Sequence, residues 1–155
     1  MSRSCEVIER FSALGKTLAT AESLTGGGIG AALTAVAGSS AVFKGGVISY
    51  TDEVKREILC VPDQWLKKYG AVSPWVAMEM ASGVRGLLHS DAAISVTGLA
   101  GPGGDDYGHP VGTVYIAYED RERSGVHHYH FEGDRDAVRE QTIEAALKLI
   151  LMYYA

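Results

Sequence analysis

Cysteine and basic residues are both scarce in this chain. Only Cys5 and Cys60 occur among its 155 residues, and their separation fits neither a disulfide framework nor a metal-ligand motif. The formal net charge of −5 disfavours nonspecific binding to nucleic acids. No apolar run is long enough to cross a membrane, and the charged segment 1–11 lacks the pattern of a signal peptide. We therefore expect a cytoplasmic protein that binds neither nucleic acid nor membrane.

Glycine is abundant, with 19 residues that cluster in loops. Because glycine permits positive φ and a close approach of ligand atoms to the backbone, this clustering indicates a ligand site built partly from main chain. The length matches one domain of ordinary size. Hydrophobic residues make up 46% of the chain, which is enough for one continuous core. We therefore predict a single domain over residues 1–155.

Short apolar runs alternate with helical patterns in the first two thirds of the chain. Strands are predicted at 17–21, 42–50 and 91–96, and a hairpin at 111–118 and 125–131 precedes a terminal helix at about 136–153. This order predicts the α/β class, with a three-layer α/β/α sandwich and a mixed, mostly parallel sheet. Ligands of such sheets bind beyond the carboxyl ends of the strands. Because Ser23, Tyr50 and Thr97 lie at such ends, we expect them on the same rim.

The segment 21–28, Ala-Glu-Ser-Leu-Thr-Gly-Gly-Gly, joins the first strand to a helix predicted at about 27–36. N–H groups in the first turn of a helix favour negative charge. A phosphate or an oxyanion is therefore expected there, with Ser23 presented as a nucleophile beside those donors. The alternative is a helix N-cap with glycines that serve close packing. The segment is neither a Walker A loop, which needs Lys-Ser/Thr after the glycines, nor a nucleophile elbow, which needs glycine two residues before the serine.

Lys55 lies five residues after Tyr50, near the start of a predicted short helix. If that helix turns back toward the rim, the amine can reach Ser23 and act as a general base, since burial lowers the pKa of a lysine. The phenol of Tyr50 can relay or donate a proton. A solvated helix lysine and a strand-edge aromatic are the more common roles of such residues, and the residues alone favour them.

Arg135 and Arg139 lie near the start of the last predicted helix, where cations are mildly unfavourable. This position indicates an anionic partner, although Arg135 can also form a surface pair with Asp134. His128 and His130 share one face of a predicted edge strand, which allows a metal site. Exposed histidines without a metal are the more common arrangement.

Several short motifs follow one another in a characteristic order. They are Ala-Glu-Ser-x-Thr-Gly-Gly from residue 21, Gly-Ser-Ser from 38, Gly-Gly-Val-x-x-Tyr from 45 with Lys55, Gly-Ala-Val-Ser from 70, Thr-Gly-x-Ala-Gly-Pro from 97, Pro-Val-Gly-Thr-Val from 110 and Gly-Asp-Arg from 133. Together they resemble the CinA family, and most narrowly its C-terminal domain and the standalone form of that domain, nicotinamide mononucleotide (NMN) deamidase. The resemblance extends from about residue 17 to the last helix.

The resemblance implies the three-layer fold and hydrolysis of the NMN carboxamide to nicotinate mononucleotide and ammonia, a step of pyridine nucleotide salvage. It implies Ser23 as nucleophile, Lys55 as general base and Tyr50 as an assisting hydroxyl, with no metal or redox cofactor. The expected partners are the nucleotide substrate and a second copy of the chain, since dimers are common in such families. The implied substrate-binding positions are Thr25, Gly26, Gly27, Ser39, Ser40, Gly46, Thr97, Gly98, Gly101, Arg135 and Arg139.

Two positions depart from the family pattern. Leu24 stands where cysteine is usual, which leaves Ser23 in place if Leu24 packs inward. His109 replaces the lysine that commonly precedes Pro-Val-Gly, which puts affinity or specificity in question more than the chemistry. The larger domain of two-domain members, linked to dinucleotide pyrophosphatase activity, is expected to be absent. The rival hypotheses are a non-catalytic nucleotide-binding or interaction module, and an amidase or esterase for another small substrate.

Overall fold

Strands and helices follow one another in the predicted order. The computed structural model describes residues 1–154. The helices within them are α1 (Arg3–Leu14), α2 (Gly28–Thr34), α3 (Asp52–Glu57), α4 (Asp63–Tyr69), α5 (Pro74–Leu88) and α6 (Arg135–Tyr153). The strands are β1 (Leu18–Glu22), β2 (Phe43–Ile48), β3 (Ala92–Gly98), β4 (Thr113–Asp120) and β5 (Ser124–His130), and a short 3₁₀ helix, Ser39–Ala41, precedes β2.

The strands form one mixed sheet in the order β2-β1-β3-β4-β5. β1 pairs in parallel with β2 and β3, whereas β4 pairs antiparallel with both β3 and β5. Within residues 1–154, β4 alone therefore runs against the other strands. This confirms the predicted α/β class and the mixed, mostly parallel sheet.

A separate hydrophobic core covers each face of the sheet. Leu18 of β1 packs on one face with Phe11 of α1 and Ile29 of α2. Ala19, the next residue along the same strand, packs on the opposite face with Met80 of α5. Successive side chains of a strand point to opposite faces, and all five residues of β1 are buried because a helical layer covers each face. This arrangement is the three-layer sandwich that the sequence predicted.

Local signals in the sequence explain where several helices begin and end. Ser73 caps α5 by accepting a hydrogen bond from the Val76 N–H, with Pro74 in the first turn. Thr51 caps α3 in the same way, as its small polar side chain favours. Gly15 ends α1 in the left-handed conformation at φ 64°, which costs glycine little. Because Thr51 fixes the start of α3, it also fixes the position of Lys55 four residues later.

The predicted irregularity in β2 is present at its glycines. The pairing register with β1 shifts between Leu18 and Ala19, which pair with Phe43 and Gly45. A Cβ atom at Gly46 would collide with the side chain of Thr20, so glycine lets the two strands approach. None of the helices within residues 1–154 has both the length and the hydropathy needed to span a bilayer.

Candidate active site

The carboxyl ends of three parallel strands meet at one rim of the sheet. The Ser23 N–H donates to the Val96 carbonyl at 3.1 Å, and the Ser49 N–H donates to the Glu22 carbonyl at 2.8 Å. These bonds align the carboxyl end of β1 with the carboxyl ends of β3 and β2. Ser23, Tyr50 and Thr97 all line one cavity of about 610 Å³. The predicted meeting of these three segments at one rim is present.

Lys55 is the buried cation of this cavity. It lies on α3 directly after β2, and its side chain points back under the rim with 1% of the residue exposed. The Nζ atom lies 3.0 Å from the Ser23 Oγ, 2.7 Å from the Ser49 carbonyl oxygen and 3.5 Å from the Tyr50 carbonyl oxygen. The chain leaves β2 after Ile48, two residues earlier than predicted, and these two carbonyls then face the amine.

Burial lowers the pKa of Lys55 to about 8, although the nearby carboxylate of Asp52 raises it. Taking an ammonium out of water disfavours its charged form. The neutral amine has two N–H donors and one lone pair. The two carbonyls accept the donors, which leaves the lone pair for the hydroxyl of Ser23. This geometry is that of a general base beside a nucleophile.

The turn that carries Ser23 is folded by main-chain bonds. The Gly26 N–H donates to the Ser23 carbonyl at 3.1 Å, and Ser23 itself is 7% exposed. Arg139 donates from α6 to the carbonyls of Leu24 at 2.9 Å and Thr25 at 3.2 Å. Leu24 packs inward as part of the hydrophobic core, so leucine at this position leaves Ser23 in place.

The carboxylate of Glu22, the last residue of β1, lies at the start of α2. Sequence reasoning missed this role of Glu22. Its carboxylate accepts the N–H groups of Ile29 at 2.7 Å and Gly30 at 3.0 Å, and the hydroxyl of Thr25 at 2.7 Å. The prediction that these helix N–H groups face a ligand anion is therefore wrong, because the anion they bind belongs to the chain itself. An acidic residue shortly before a helix, here six residues before Gly28, was the available signal, since carboxylates stabilise that end.

Tyr50 and Arg135 form a pair at the mouth of the cavity. Tyr50 is 59% exposed, and its phenol oxygen accepts a hydrogen bond from Arg135 at 3.1 Å. Arg135 also donates to the Gly101 carbonyl at 2.7 Å, which joins α6 to the loop after β3. The phenol therefore bonds to Arg135, while the hydrogen bond from Lys55 goes to the Tyr50 carbonyl.

The loop after β3 forms the other wall of the cavity. Thr97 donates its hydroxyl to the Ala71 carbonyl at 2.9 Å. A Cβ atom at Gly98 would lie 2.7 Å from the Thr113 carbonyl oxygen, so glycine permits a close approach of the two backbones. His109 contacts Asp105 at 2.6 Å, and Asp105 lines the cavity. His109 thus acts on the shape of the loop through a cavity carboxylate.

The expected substrate-binding residues divide into two groups. Four of them line the cavity: Thr97, Gly98, Gly101 and Arg135. The others lie outside its lining: Thr25, Gly26, Gly27, Ser39, Ser40, Gly46 and Arg139. In the second group the geometry shows internal roles, such as the bond from Thr25 to Glu22 and the close packing of Gly46 on Thr20.

Two histidines of β5, His127 and His128, have aromatic partners. His128 stacks on Tyr115 with ring centroids 4.8 Å apart. His127 contacts the Tyr153 hydroxyl at 3.3 Å. Among residues 1–154, no group of three or more His, Cys, Asp or Glu side chains is placed to hold a metal ion.

Comparison with known proteins agrees with this geometry. The family model for the CinA C-terminal domain matches residues 2–154. The chain belongs to the CinA family. A CinA-like protein of Geobacter sp. (strain M21) is 50% identical over 139 residues, which cover 90% of this chain and 34% of that protein. A CinA-like protein of Geobacter sulfurreducens is 49% identical over 141 residues and is likewise covered over 34% of its length. The chain thus spans about a third of the length of these relatives.

Solved structures of CinA superfamily proteins have the same fold over nearly their whole length. A protein from Klebsiella pneumoniae 700603 has a TM-score of 0.95 and 36% identity, with 98% of this chain and 95% of that chain covered. The competence/damage-inducible protein CihA from Agrobacterium tumefaciens has a TM-score of 0.92 and 38% identity, with 99% and 94% covered. These CinA structures share the mixed sheet described above.

Proposed function

We propose that this CinA domain is a serine amidohydrolase that converts NMN to nicotinate mononucleotide and ammonia. The observation that carries the proposal is the distance of 3.0 Å between the buried Lys55 Nζ and the Ser23 Oγ. A serine hydroxyl needs a base to become a nucleophile. A lysine with a pKa of about 8 is partly neutral near pH 7 and can serve as that base.

In the first half of the proposed reaction, neutral Lys55 takes the proton of the Ser23 hydroxyl as Oγ attacks the carboxamide carbon. The tetrahedral intermediate carries a negative oxygen, which main-chain N–H groups stabilise. The Lys55 ammonium then gives its proton to the amide nitrogen, the C–N bond breaks, and ammonia leaves. The nicotinoyl group remains as an ester on Ser23.

In the second half, water attacks the ester while Lys55 takes one of its protons. The proton returns to the Ser23 Oγ as the ester bond breaks, which releases the carboxylic acid and restores the enzyme. The acid then loses its proton to ammonia or solvent and becomes the carboxylate product. Since the Tyr50 phenol bonds to Arg135, Lys55 carries the proton transfers of both halves in this scheme. Tyr50 and Arg135 face the substrate from the mouth of the cavity.

The charges of the cavity support a substrate that carries both signs. Arg135 lines it together with the carboxylates of Asp52, Asp105 and Asp106. A guanidinium binds phosphate through paired N–H donors, and carboxylates favour a nearby cationic ring. NMN has a phosphate and a pyridinium ring, and a volume of about 610 Å³ lies within the usual range for ligand sites.

The test is a coupled ammonia assay with NMN, nicotinamide and glutamine, run on the wild type, Ser23→Ala and Ser12→Ala. Ser12 is exposed on α1, so its variant controls for the loss of a hydroxyl elsewhere. We expect release of ammonia from NMN by the wild type and Ser12→Ala, and none above background from Ser23→Ala. Wild-type turnover in Ser23→Ala would contradict the proposal.

The same experiment separates the rival functions. Tight binding of NMN by calorimetry without ammonia release would favour the non-catalytic nucleotide-binding module. Release from glutamine or nicotinamide at a rate equal to that from NMN would favour an amidase for another small substrate. The positions of Ser23 and Lys55 support turnover, since a module that only binds needs no base beside a hydroxyl.

A further inference from the structure

Arg139 reaches across the fold to the turn that carries Ser23. It lies on α6 and donates from Nε to the Leu24 carbonyl at 2.9 Å and from Nη2 to the Thr25 carbonyl at 3.2 Å. The two carbonyls belong to the two residues directly after the nucleophile, more than a hundred positions away in sequence. Arg139 does not line the cavity, so its contacts are with the turn.

These contacts also replace the expected anionic partner of Arg139. A cation near the amino end of a helix is mildly unfavourable, which indicated a bound anion. The guanidinium instead binds two main-chain carbonyls, which carry partial negative charge. Its planar fork of N–H donors fixes both carbonyls at once, which a flexible point charge does less well.

The bonds from Arg139 fix the peptides Leu24–Thr25 and Thr25–Gly26. The second of these carries the Gly26 N–H, which donates to the Ser23 carbonyl and thereby fixes the Ser23–Leu24 peptide. In a trans peptide the C=O and the following N–H point in opposite directions. The Ser23 carbonyl points into the turn, where it accepts the Gly26 N–H, so the Leu24 N–H points out of it. Within residues 1–154 the Leu24 N–H has no hydrogen-bond acceptor. Leu24 buries its side chain in the core and still lines the cavity, which leaves its main chain at the cavity surface.

We infer that Arg139 is a positioning residue that holds the Leu24 N–H beside the Ser23 Oγ as the donor to the oxyanion. This inference rests on the proposed function, because an oxyanion forms only if Ser23 attacks a carbonyl group. Donors fixed before the reaction stabilise the developing charge without reorganisation. Without Arg139 the Thr25–Gly26 peptide can rotate, its Gly26 N–H no longer holds the Ser23 carbonyl, and the Leu24 N–H on the same peptide as that carbonyl loses its fixed direction.

The experiment compares Arg139→Met with Arg3→Met. Arg3 lies on α1 and bonds at 3.0 Å to Glu144, which is on α6 like Arg139. The Arg3 variant therefore also removes a guanidinium that contacts α6. We expect Arg139→Met to lower kcat for NMN by about 10- to 100-fold, less than the full loss of an oxyanion donor, with little change in KM. Arg139→Lys should recover part of that loss. Arg3→Met should keep wild-type kcat.

A second readout separates positioning from a general loss of stability. Pyridine-3-boronic acid forms a tetrahedral anion on a serine and mimics the intermediate, whereas nicotinate mononucleotide mimics the bound ground state. We expect the dissociation constant of the boronate to rise in Arg139→Met by the same factor as kcat/KM falls. The affinity for nicotinate mononucleotide and the pH midpoint set by Lys55 should stay unchanged.

Wild-type kcat and boronate affinity in a folded Arg139→Met would overturn the inference, as would equal losses for the boronate and nicotinate mononucleotide. If Arg139→Met does not fold, Arg139→Gln, which keeps a donor for one carbonyl, is judged by the same criteria. Boronate binding to Ser23 can be followed by ¹¹B NMR without turnover. Failure of NMN hydrolysis with an Arg139-dependent boronate affinity would therefore reject the proposed function and keep this inference.

Discussion

At the carboxyl ends of β1 and β3, the cavity beside Ser23 encloses a buried lysine, whereas at the amino ends of the same strands a second cavity is ringed by charges of both signs. This second cavity has a volume of about 350 Å³ and is lined by residues including Lys16, Asp91 and Arg123. Two of its carboxylates, those of Asp91 and Asp120, accept hydrogen bonds. Asp91 accepts the N–H of Thr17 at 2.8 Å and its hydroxyl at 3.1 Å.

The same direction of pKa shift has opposite meanings at the two ends. Bonds from Thr17 lower the pKa of Asp91 below its ordinary value, so the fold stabilises the charged carboxylate. Burial lowers the pKa of Lys55, so the fold destabilises the charged ammonium. A site that opposes the ordinary state of a residue costs stability and supplies reactivity. The comparison therefore assigns chemistry to the carboxyl end and stability to the amino end.

The largest expected effect comes from Lys55→Met. This change removes the base while keeping an unbranched side chain, and we expect kcat for NMN to fall by at least about 10³-fold. Lys44→Met is the matched control, because Lys44 is exposed and donates to the His89 carbonyl at 3.4 Å, away from the cavity. The measurement is ammonia release at pH 8. A reduction in kcat of only about 10-fold or less would contradict the assignment.

Lys55→Met is also expected to raise thermal stability at pH 7. The folded pKa of about 8 lies below the ordinary value of 10.5, so between these values the unfolded chain holds a proton that the folded protein has lost. Wild-type stability therefore rises with pH across this window. The advantage of the Met variant should be greatest below pH 8 and shrink toward pH 10.5, which melting curves at several pH values would measure. A variant less stable at pH 7 would contradict the cost assigned to the buried amine.

Asp91→Ala tests the other end of the sheet. Loss of the acceptor for Thr17 should cost about 1 kcal/mol of unfolding free energy, with kcat for NMN unchanged. Because the folded pKa of Asp91 is lowered, its contribution is present above the ordinary value of 3.8 and is lost as pH falls through the lower folded value. Urea titrations at neutral and acid pH would show the difference. A loss of activity without a loss of stability would break the comparison.

The smallest expected effect comes from Asp52→Asn. Asp52 precedes Lys55 by three residues on α3, and its charge raises the pKa of the amine. Its removal should move the midpoint of the kcat–pH profile below that of the wild type and raise kcat at pH 7 by about two-fold. Glu53→Gln removes the same charge at the next, exposed position and should leave the midpoint in place. An upward shift in Asp52→Asn would contradict this electrostatic account.

The sequence was most informative where the order of the strands alone determines which residues lie close together. The ends of β1, β2 and β3 predicted that Ser23, Tyr50 and Thr97 share a rim, because parallel strands place their carboxyl ends together. The resemblance to the CinA family then indicated Lys55 beside Ser23. Both expectations follow from order along the chain, and the structure has both features.

The features that the sequence did not predict are hydrogen bonds between residues far apart in the chain, where several groups could serve equally well as the partner. A helix start attracts any anion, and only the fold shows that Glu22 takes the place of a ligand. Arg139 has an acceptor near the nucleophile because α6 packs beside α2, a contact between residues 114 or 115 positions apart. The same holds for the hydrogen bond between the Tyr50 phenol and Arg135. These residues are 85 positions apart, so no local sequence pattern predicts that they pair.

The most direct test of the account is the titration of Lys55 itself. In protein labelled with ¹³C at lysine Cε, the signal missing from Lys55→Met can be assigned to Lys55 and followed from pH 6 to pH 11. We predict a midpoint near pH 8, in agreement with the pKa of about 8 and with the midpoint of the kcat–pH profile. A midpoint near the ordinary value of 10.5 would leave Ser23 without a base near neutral pH and would contradict the central claim.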